Sequence, residues 1–239
     1  MSEICPRFVS TMICCALMSG LGLSACVEDT DMDGDAQPTR TAPPYATGVE
    51  RFSPGPGAGW GAQHLPEVVL GAPQGALKDG AAAGQDEVLS LGAGGEIVLT
   101  FEHDIVDGPG ADFVVFENPF WIRNDPEQVW FELAEVSVSQ DGESWLSFAC
   151  AVEPTQPGQW PGCAGWTPTK KFDAELLIPL DPALTGGDAF DLADLGLESA
   201  RYVRIRDLLE DGNSTANNVG FDLDAVGVVH SRASVSENK

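Results

Sequence analysis

Positively charged residues are scarce in this sequence relative to negatively charged ones. Its 239 residues hold 12 lysines and arginines against 37 aspartates and glutamates, for a formal net charge of -25 at pH 7 and a pI near 4.1. Proteins that bind nucleic acid need a basic stripe to neutralise phosphates, and no such stripe is present. Nucleic acid is therefore not an expected partner, and the charge favours divalent cations or basic molecules instead.

Catalytic motifs are also missing. The sequence has no G-x-S-x-G, no H-E-x-x-H and no P-loop, and His64, His103 and His230 are scattered beside apolar or loop sequence. The sequence does not exclude a pair of acids that cleaves glycosides, because acids are abundant and their separation in space is not visible from sequence. We therefore expect no enzyme, with a surface hydrolase that cleaves polysaccharide through paired carboxylates as the alternative.

Residues 1–25 have the features of an export signal. Arg7 supplies a short basic start, and residues 8–23 form an apolar run that is too short and too glycine-rich for a comfortable membrane span. The motif LSAC at 23–26 is similar to the lipobox of bacterial lipoproteins, in which the cysteine thiol takes a diacylglycerol before cleavage. An ordinary cleaved signal peptide with a cysteine nearby is the alternative.

Cys26 is therefore the predicted lipidation site. Acyl chains such as palmitate contribute roughly 0.8 kcal/mol per buried CH₂, which makes a firm membrane anchor. Val27 follows the cysteine, and by analogy with sorting in Gram-negative bacteria a non-acidic residue there favours the outer membrane. These residues predict a lipid-anchored protein of the cell envelope, at the outer membrane or the cell surface.

Residues 26–44 predict a disordered acidic tether. The segment D-x-D-x-D-G at 29–34 matches the first half of an EF-hand-type calcium loop, which needs a bidentate carboxylate at its twelfth position. That position is Arg40, a cation that cannot ligate calcium, and the prolines of the segment argue against a flanking helix. Weak calcium binding by this run is the alternative to a solvated tether.

Two cysteines remain once three have left with the signal and Cys26 has been lipidated. An even pair in an oxidising compartment usually bridges, so we predict a disulfide between Cys150 and Cys163. Closing so short a loop stabilises by roughly 3 kcal/mol in the chain-entropy model. A zinc site is disfavoured, because no histidine lies near the pair.

Residues 45–230 predict a single all-β domain, and residues 231–239 a disordered tail. Short β-rich runs alternate with Gly, Pro and Asp turns, with hairpins expected across residues 92–95 and across 141–142. Residues 190–196 predict one helical turn. This pattern is typical of a sandwich or jelly roll. The runs are EVVLG, EVLSL, GEIVLTF, ADFVVFEN, VWFELAEVSVS, SWLSFAC, AELLIPL, ARYVRIRDL and GFDLDAVGVV.

Two family resemblances accompany this pattern. EVSVSQDGESW and ARYVRIRDL resemble strand signatures of galactose-binding-like (discoidin-type) jelly rolls. VLSLGAGGEIVLTF, VDGPGADFVVFEN, GDAFDLADLGLESARYVRIRD and GFDLDAVGVV resemble a family of uncharacterised bacterial cell-surface proteins and lipoproteins, over about Val68 to Val229. The resemblance implies a jelly-roll sandwich at the cell surface and implies no particular activity.

Acidic loop ends favour calcium as a cofactor, because calcium takes six to eight oxygen ligands. Asp107 and Asp112 bracket a glycine-proline turn, and Glu117 ends the next strand beside Asn118. Asp222 and Asp224 are two residues apart on the last strand and therefore share a face. Buried acids need a partner. The predicted ligands are Asp107, Asp112, Glu117, Asp222 and Asp224. The alternatives are simple exposure or pairing with Arg201, Arg204 or Arg206.

Three loop tryptophans, Trp121, Trp160 and Trp166, are the predicted ligand-binding residues. Indole faces stack on sugar rings, and jelly rolls of the resembled class often bind glycans through loop tips. The alternative is core packing, which fits Trp130 and Trp145 inside strand patterns. The sequence thus predicts a surface binding or adhesion module for a glycan or a surface protein, supported by calcium. A purely structural envelope lipoprotein is a further alternative.

Overall fold

The computed structural model describes residues 44–74, 83–125, 127–153, 159–170, 173, 180–209 and 216–233. The predicted export signal, the lipidation site Cys26 and the tether as far as residue 43 lie outside the described residues. Within the described ranges, no helix has the length and apolar character needed to cross a membrane.

Strands are the main regular secondary structure of the described residues, and most of them are short. The first seven are β1 (Gly48–Ser53), β2 (Leu89–Ser90), β3 (Glu96–Val106), β4 (Phe113–Glu117), β5 (Phe120–Trp121), β6 (Val129–Trp130) and β7 (Ala134–Ser139). The others are β8 (Leu146–Ser147), β9 (Cys163–Ala164), β10 (Asp188–Phe190), β11 (Ser199–Asp207), β12 (Asp222–Val228) and β13 (Ser231–Ala233). Helix is limited to α1 (Pro182–Thr185) and to 3₁₀ turns at Ala62–His64, Glu67–Val69, Ile122–Asn124 and Leu192–Leu195.

The strands form an all-β sandwich, as the sequence predicts. One antiparallel sheet has the order β1-β3-β11-β7-β8, with β13 added to β3 and β9 added to β7. The facing sheet has the order β10-β4-β12-β2, and among the described strands β5 pairs with β6 alone. Apolar residues of both sheets meet in one core, whose largest members are Phe113, Phe221, Leu89, Leu91, Ile97, Leu99, Ile105, Ile205 and Leu223.

Strand β4 is apolar almost throughout because both of its faces are covered. Phe113 and Val115 point into the main core, whereas Val114 and Phe116 pack into a second cluster with Tyr45. Side chains alternate along a strand, so Glu117 shares the face of Phe113 and Val115. A carboxylate therefore ends a strand that is buried on both sides.

The larger sheet has one apolar and one charged face. Its arginines lie on the charged face: Arg201 contacts Asp104 at 3.4 Å, Arg204 contacts Glu96 at 3.7 Å, and Arg206 contacts Glu135 at 3.5 Å. Because half-exposed ion pairs contribute little to stability, these pairs chiefly keep this face soluble. The arginines thus have their partners on their own sheet, and not in Asp222 or Asp224.

Several local predictions are confirmed. The turn at residues 141–142 joins β7 to β8, with Ser137 opposite Ser147. The helical turn expected in 190–196 is the 3₁₀ turn Leu192–Leu195. Cys150 and Cys163 form the predicted disulfide, which ties the segment after β8 to β9.

Other local predictions are wrong. EVVLG forms the 3₁₀ turn Glu67–Val69 instead of a strand. β2 and β3 do not form a hairpin, because they belong to different sheets: β2 pairs with β12, the glycine turn at 92–95 then crosses to the larger sheet, and β3 pairs there with β11. Residues 231–233, expected in the tail, form β13 against β3. Most of AELLIPL, residues 174–179, and the tail from residue 234 lie outside the described residues.

Candidate functional site

A cleft of about 270 Å³ lies where β4 ends and β12 begins. The register of the two strands sets Leu223 opposite Glu117, so Asp222 lies beside the end of β4. The β5–β6 hairpin and the irregular segment after β6 complete the walls. The lining residues are Phe120, Trp130, Glu132, Asn218 and Asp222.

Trp130 is the exposed aromatic residue of this cleft. Its side chain is 50% exposed, and it lies directly opposite Phe120 in the β5–β6 ladder. The two rings are stacked, with centroids 6.4 Å apart and planes at 26°. Among the described strands, β5 and β6 pair only with each other, and each is two residues long. The indole is therefore backed by a second ring and open to solvent.

A second cleft, of about 450 Å³, adjoins the first and shares Trp130 and Glu132 with it. Its lining is mostly apolar and includes Val152, 55% exposed, and Leu209, 43% exposed. Asp207 adds a carboxylate. The two clefts make a continuous surface with Trp130 as the shared wall.

The carboxylates of the first cleft are held in unfavourable surroundings. Burial, together with the charges of Asp222 and Asp207, raises the pKa of Glu132 to about 8, although its Oε1 accepts a hydrogen bond from the Gly220 N–H at 3.2 Å. Burial also raises the pKa of Asp222 to about 6, against the hydrogen bond that it accepts from Ser90 Oγ. Both groups thus hold protons more tightly than they would in water.

Glu117 is the most strongly perturbed acid of the group. Its side chain is 3% exposed, and its buried Oε2 has no hydrogen-bond partner. Burial raises its pKa well above the usual range, and the charges of Asp222, Glu132, Asp188 and Asp224 raise it further, in that order. Among the described residues, none of the groups with the largest effects lowers its pKa. This carboxylate is therefore buried among like charges.

Asp188 and Asp207 have structural roles beside the site. Asp188 accepts backbone hydrogen bonds from Gly165 at 2.6 Å, Trp166 at 3.1 Å and Thr167 at 3.2 Å. Asp207 accepts three more, from the N–H groups of Gly94, Leu209 and Phe221. Each of these buried aspartates thus accepts hydrogen bonds from several backbone N–H groups.

The five predicted calcium ligands do not come together. Asp112 directly precedes β4 and Glu117 ends it, which separates them by about 16 Å along the strand. Asp107 and Asp112 instead meet Asp191, with ligand oxygens within 4.8 Å of one another. Asp222 and Asp224 have different partners, and the register of β12 shifts between Leu223 and Ala225. Asp222 accepts a hydrogen bond from Ser90 Oγ, and Asp224 accepts one from the Gln74 N–H at 2.8 Å.

The three predicted ligand-binding tryptophans are half-buried, and none lines the acidic cleft. Trp160 donates its indole N–H to the Val152 carbonyl at 3.2 Å and packs against Phe131 at 4.5 Å. Trp166 donates to the Cys163 carbonyl at 3.0 Å and lines a third cleft of about 490 Å³. Trp121 is paired with Val129 in the β5–β6 ladder.

Trp130 and Glu132 are the residues that sequence reasoning missed. Trp130 was assigned to the core because it stands in a strand-like run, yet it is half-exposed. The two residues are two apart, and residues at that spacing in an extended chain point to the same side. That spacing of an aromatic and an acid is the signal that the sequence offered.

Comparisons with known proteins add little to this geometry. No family model matches the chain, and no curated protein matches it. One similar solved structure is the C-terminal domain of a chitobiase from Bacteroides fragilis, at 13% identity and a TM-score of 0.33, over 78% of this chain and 94% of that chain. A likeness of this size carries no argument about function. The resemblances to cell-surface proteins and to discoidin-type jelly rolls therefore stay predictions.

The buried carboxylates give the domain a pH-dependent stability. Burial raises the pKa of Glu132 to about 8 and that of Asp222 and Asp188 to about 6. Groups whose folded pKa is raised stabilise fully below their unfolded pKa, about 4, and this contribution is lost as the pH rises through 6 to 8. In buffer with a chelator, we expect the melting temperature to fall between about pH 5 and pH 9. The fall should be smaller for Glu132→Gln; a rise over this range would contradict the assignment.

Proposed function

We propose that this protein is a cell-envelope module that binds a carbohydrate in the cleft beside Trp130. The observation that carries the proposal is the half-exposed indole of Trp130, stacked on Phe120 and flanked by Glu132 and Asp222. Sugar rings present an apolar C–H face, which packs on an aromatic ring, and hydroxyl groups, which bond carboxylates and amides at the edge. The cleft offers both, because the Asn218 amide lines it as well.

The extent of the surface favours an oligosaccharide. The adjoining cleft continues the first one past Trp130 and exposes Val152 and Leu209. Apolar side chains that line a concave surface next to polar groups are typical of ligand sites. A chain of sugar units laid across Trp130 would cover both clefts.

The charge of the cleft predicts which charge the ligand carries. Among the described residues that line the two clefts, three are carboxylates and none is Lys, Arg or His. Without a bound cation these carboxylates repel an anionic sugar, so sugars rich in uronic acids are poor ligands in the absence of divalent cations. We therefore propose neutral sugars or amino sugars as the ligand class.

The test is the affinity of the full chain for soluble cello-, xylo-, chito- and chitosan oligosaccharides, measured by calorimetry, with oligogalacturonate as the anionic comparison. Trp130→Ala should weaken binding about tenfold or more, as the loss of a central aromatic contact does. Trp145→Ala is the matched control, because Trp145 lines neither cleft: it directly precedes β8 of the larger sheet, with the Arg204 guanidinium 4.6 Å from its ring. Equal affinity in wild type and Trp130→Ala, or no binding of any oligosaccharide, would refute the proposal.

One observation favours hydrolysis as a second candidate function. Glu132 and Asp222 line the same cleft, with pKa values raised to about 8 and about 6. At neutral pH the first would hold a proton and the second would be ionised, which is the division of roles that glycosidases use. The same oligosaccharide panel tests this second function. If the protein releases reducing ends and Glu132→Gln does not, the protein is a hydrolase and not a binding module.

The cellular location belongs to the same proposal. Cys26 in the LSAC motif would carry the lipid, and the acidic segment that follows would hold the domain away from the outer membrane. A glycan at the cell surface is then within reach of the Trp130 cleft. The lipid supports the location and takes no part in sugar binding.

A further inference from the structure

We propose that Glu117, Glu132 and Asp222 form a site for a divalent cation of the calcium class. The first observation is the buried Oε2 of Glu117, which has no hydrogen-bond partner in a side chain that is 3% exposed. An unsatisfied buried carboxylate oxygen is costly, and native structures keep few of them. Such an atom marks the place of a partner that protein groups do not supply.

The second observation is the charge that surrounds this atom. Asp222 and Glu132 both lie close enough to Glu117 for their charges to act on it, as do Asp188 and Asp224. Among the described residues, the charged groups with the largest effects on Glu117 are all carboxylates. A proton on Glu117 would remove one charge and leave the others facing each other. A divalent cation would neutralise the group and take the free oxygen as a ligand.

The fold places these side chains on independent elements. Glu117 and Asp222 lie on neighbouring strands, with Leu223 opposite Glu117, whereas Glu132 comes from the irregular segment between β6 and β7. Asn118 beside Glu117 and Asn218 in the cleft offer neutral oxygens. Calcium prefers such mixtures of carboxylate and neutral oxygen, and its flexible coordination tolerates ligands from loops.

Cation binding by Glu117, Glu132 and Asp222 requires their carboxylates to move closer together. Among the described residues, ligand atoms of three acids lie within 4.8 Å of one another only at Asp107, Asp112 and Asp191. Glu132 is half-buried on an irregular segment, where local rearrangement costs less than in a strand of the core. The cation would supply the attraction that draws the three carboxylates together.

The cluster of Asp107, Asp112 and Asp191 is the competing location, and it carries no proposal. Asp112 already accepts from the Gly108 and Leu192 N–H groups and contacts His230 Nδ1 at 2.9 Å. Asp191 caps the following turn by accepting from the Ala193 N–H. Neither has a buried oxygen without a partner. Asp112 and Asp191 lie close together because both accept hydrogen bonds from the backbone of the neighbouring loops.

The test is a calcium titration of the full chain by calorimetry, with Glu117→Gln, Glu132→Gln and Asp107→Asn as variants. The acidic run at 29–34 is present in all four proteins, so its contribution cancels in the comparison. We expect Glu117→Gln and Glu132→Gln to weaken one binding event about tenfold or more, since ligand-shell substitutions do so. Asp107→Asn should bind like the wild type.

Terbium provides an independent readout. Trp130 lines the same cleft as Glu132 and Asp222, so terbium bound there should emit when tryptophan is excited, and calcium should quench that emission by displacement. Glu117→Gln should abolish it. Melting in EDTA checks that each variant folds, and Glu132→Gln, at a half-buried position, decides the matter if Glu117→Gln does not fold.

Three outcomes would overturn the proposal: no calcium binding, equal binding in all four proteins, or a loss confined to Asp107→Asn. The third would move the site to the competing cluster. The cation site does not depend on sugar binding, because the titrations contain no oligosaccharide. A domain that binds calcium and no sugar would keep this proposal and remove the previous one, and the reverse result would do the opposite.

Discussion

Asp112→Ala will destabilise the domain by about 3 kcal/mol or more, because each buried donor left without its acceptor costs about 1–3 kcal/mol. The Asp112 side chain is fully buried. Its carboxylate accepts from the Gly108 N–H at 2.8 Å and the Leu192 N–H at 2.7 Å, and it contacts His230 Nδ1 at 2.9 Å. One side chain thus joins the loop before β4, the 3₁₀ turn after β10 and the end of β12.

Urea unfolding of the full chain in the presence of EDTA measures this effect. Asp107→Ala is the matched control, because Asp107 is an exposed acid at the other end of the same turn and should change stability by about 0.5 kcal/mol or less. A loss that persists in EDTA identifies Asp112 as a structural acceptor and not as a calcium ligand. Equal stability of Asp112→Ala and Asp107→Ala would contradict this role.

Phe113→Ala should cost about 3–5 kcal/mol, the usual range for removing a fully buried aromatic side chain. Phe113 stacks on Phe190 at 5.2 Å and meets the edge of Phe148 at 5.9 Å. Phe190 belongs to the neighbouring strand, and Phe148 to the segment after β8 of the other sheet. The substitution would therefore open a cavity between the two sheets.

The same unfolding measurement tests this second effect. Leu184→Ala is the control, because Leu184 is 56% exposed on α1 and its truncation removes little buried surface. Phe113→Leu should recover part of the loss, since it refills part of the cavity. If Phe113→Ala and Leu184→Ala unfold at the same urea concentration, the aromatic cluster does not hold the sheets together.

The elements that the sequence predicts well are those encoded by local pattern. GEIVLTF and ARYVRIRDL become β3 and β11 because their alternating apolar residues fill one face of the larger sheet. The disulfide follows from the cysteine count. EVVLG shows the limit of local pattern: a β-prone run of five residues is a 3₁₀ turn here, since Val68 and Val69 reach the core from a turn.

The candidate site was only partly visible because distant segments build it. Glu117 and Asp222 stood out as acids next to apolar strand residues. Glu132 did not stand out among 37 acids, and only the fold brings it to Asp222. Trp130 stands in a strand-like run, yet its two-residue strand belongs to neither large sheet of the described chain, and its side chain is half-exposed. Strand pairing across long sequence separations, which no local pattern encodes, decides both outcomes.

The most direct test of carbohydrate binding at Trp130 is the response of the tryptophan indole N–H signals, followed by ¹⁵N NMR during titration with the neutral and amino-sugar oligosaccharides. Trp130→Phe and Trp145→Phe assign the two signals of interest. Sugar binding at Trp130 should give a saturable shift of the Trp130 signal, while the Trp145 signal stays in place. Saturable shifts at Trp145 alone, or a Trp130 signal that does not move with any oligosaccharide, would contradict it.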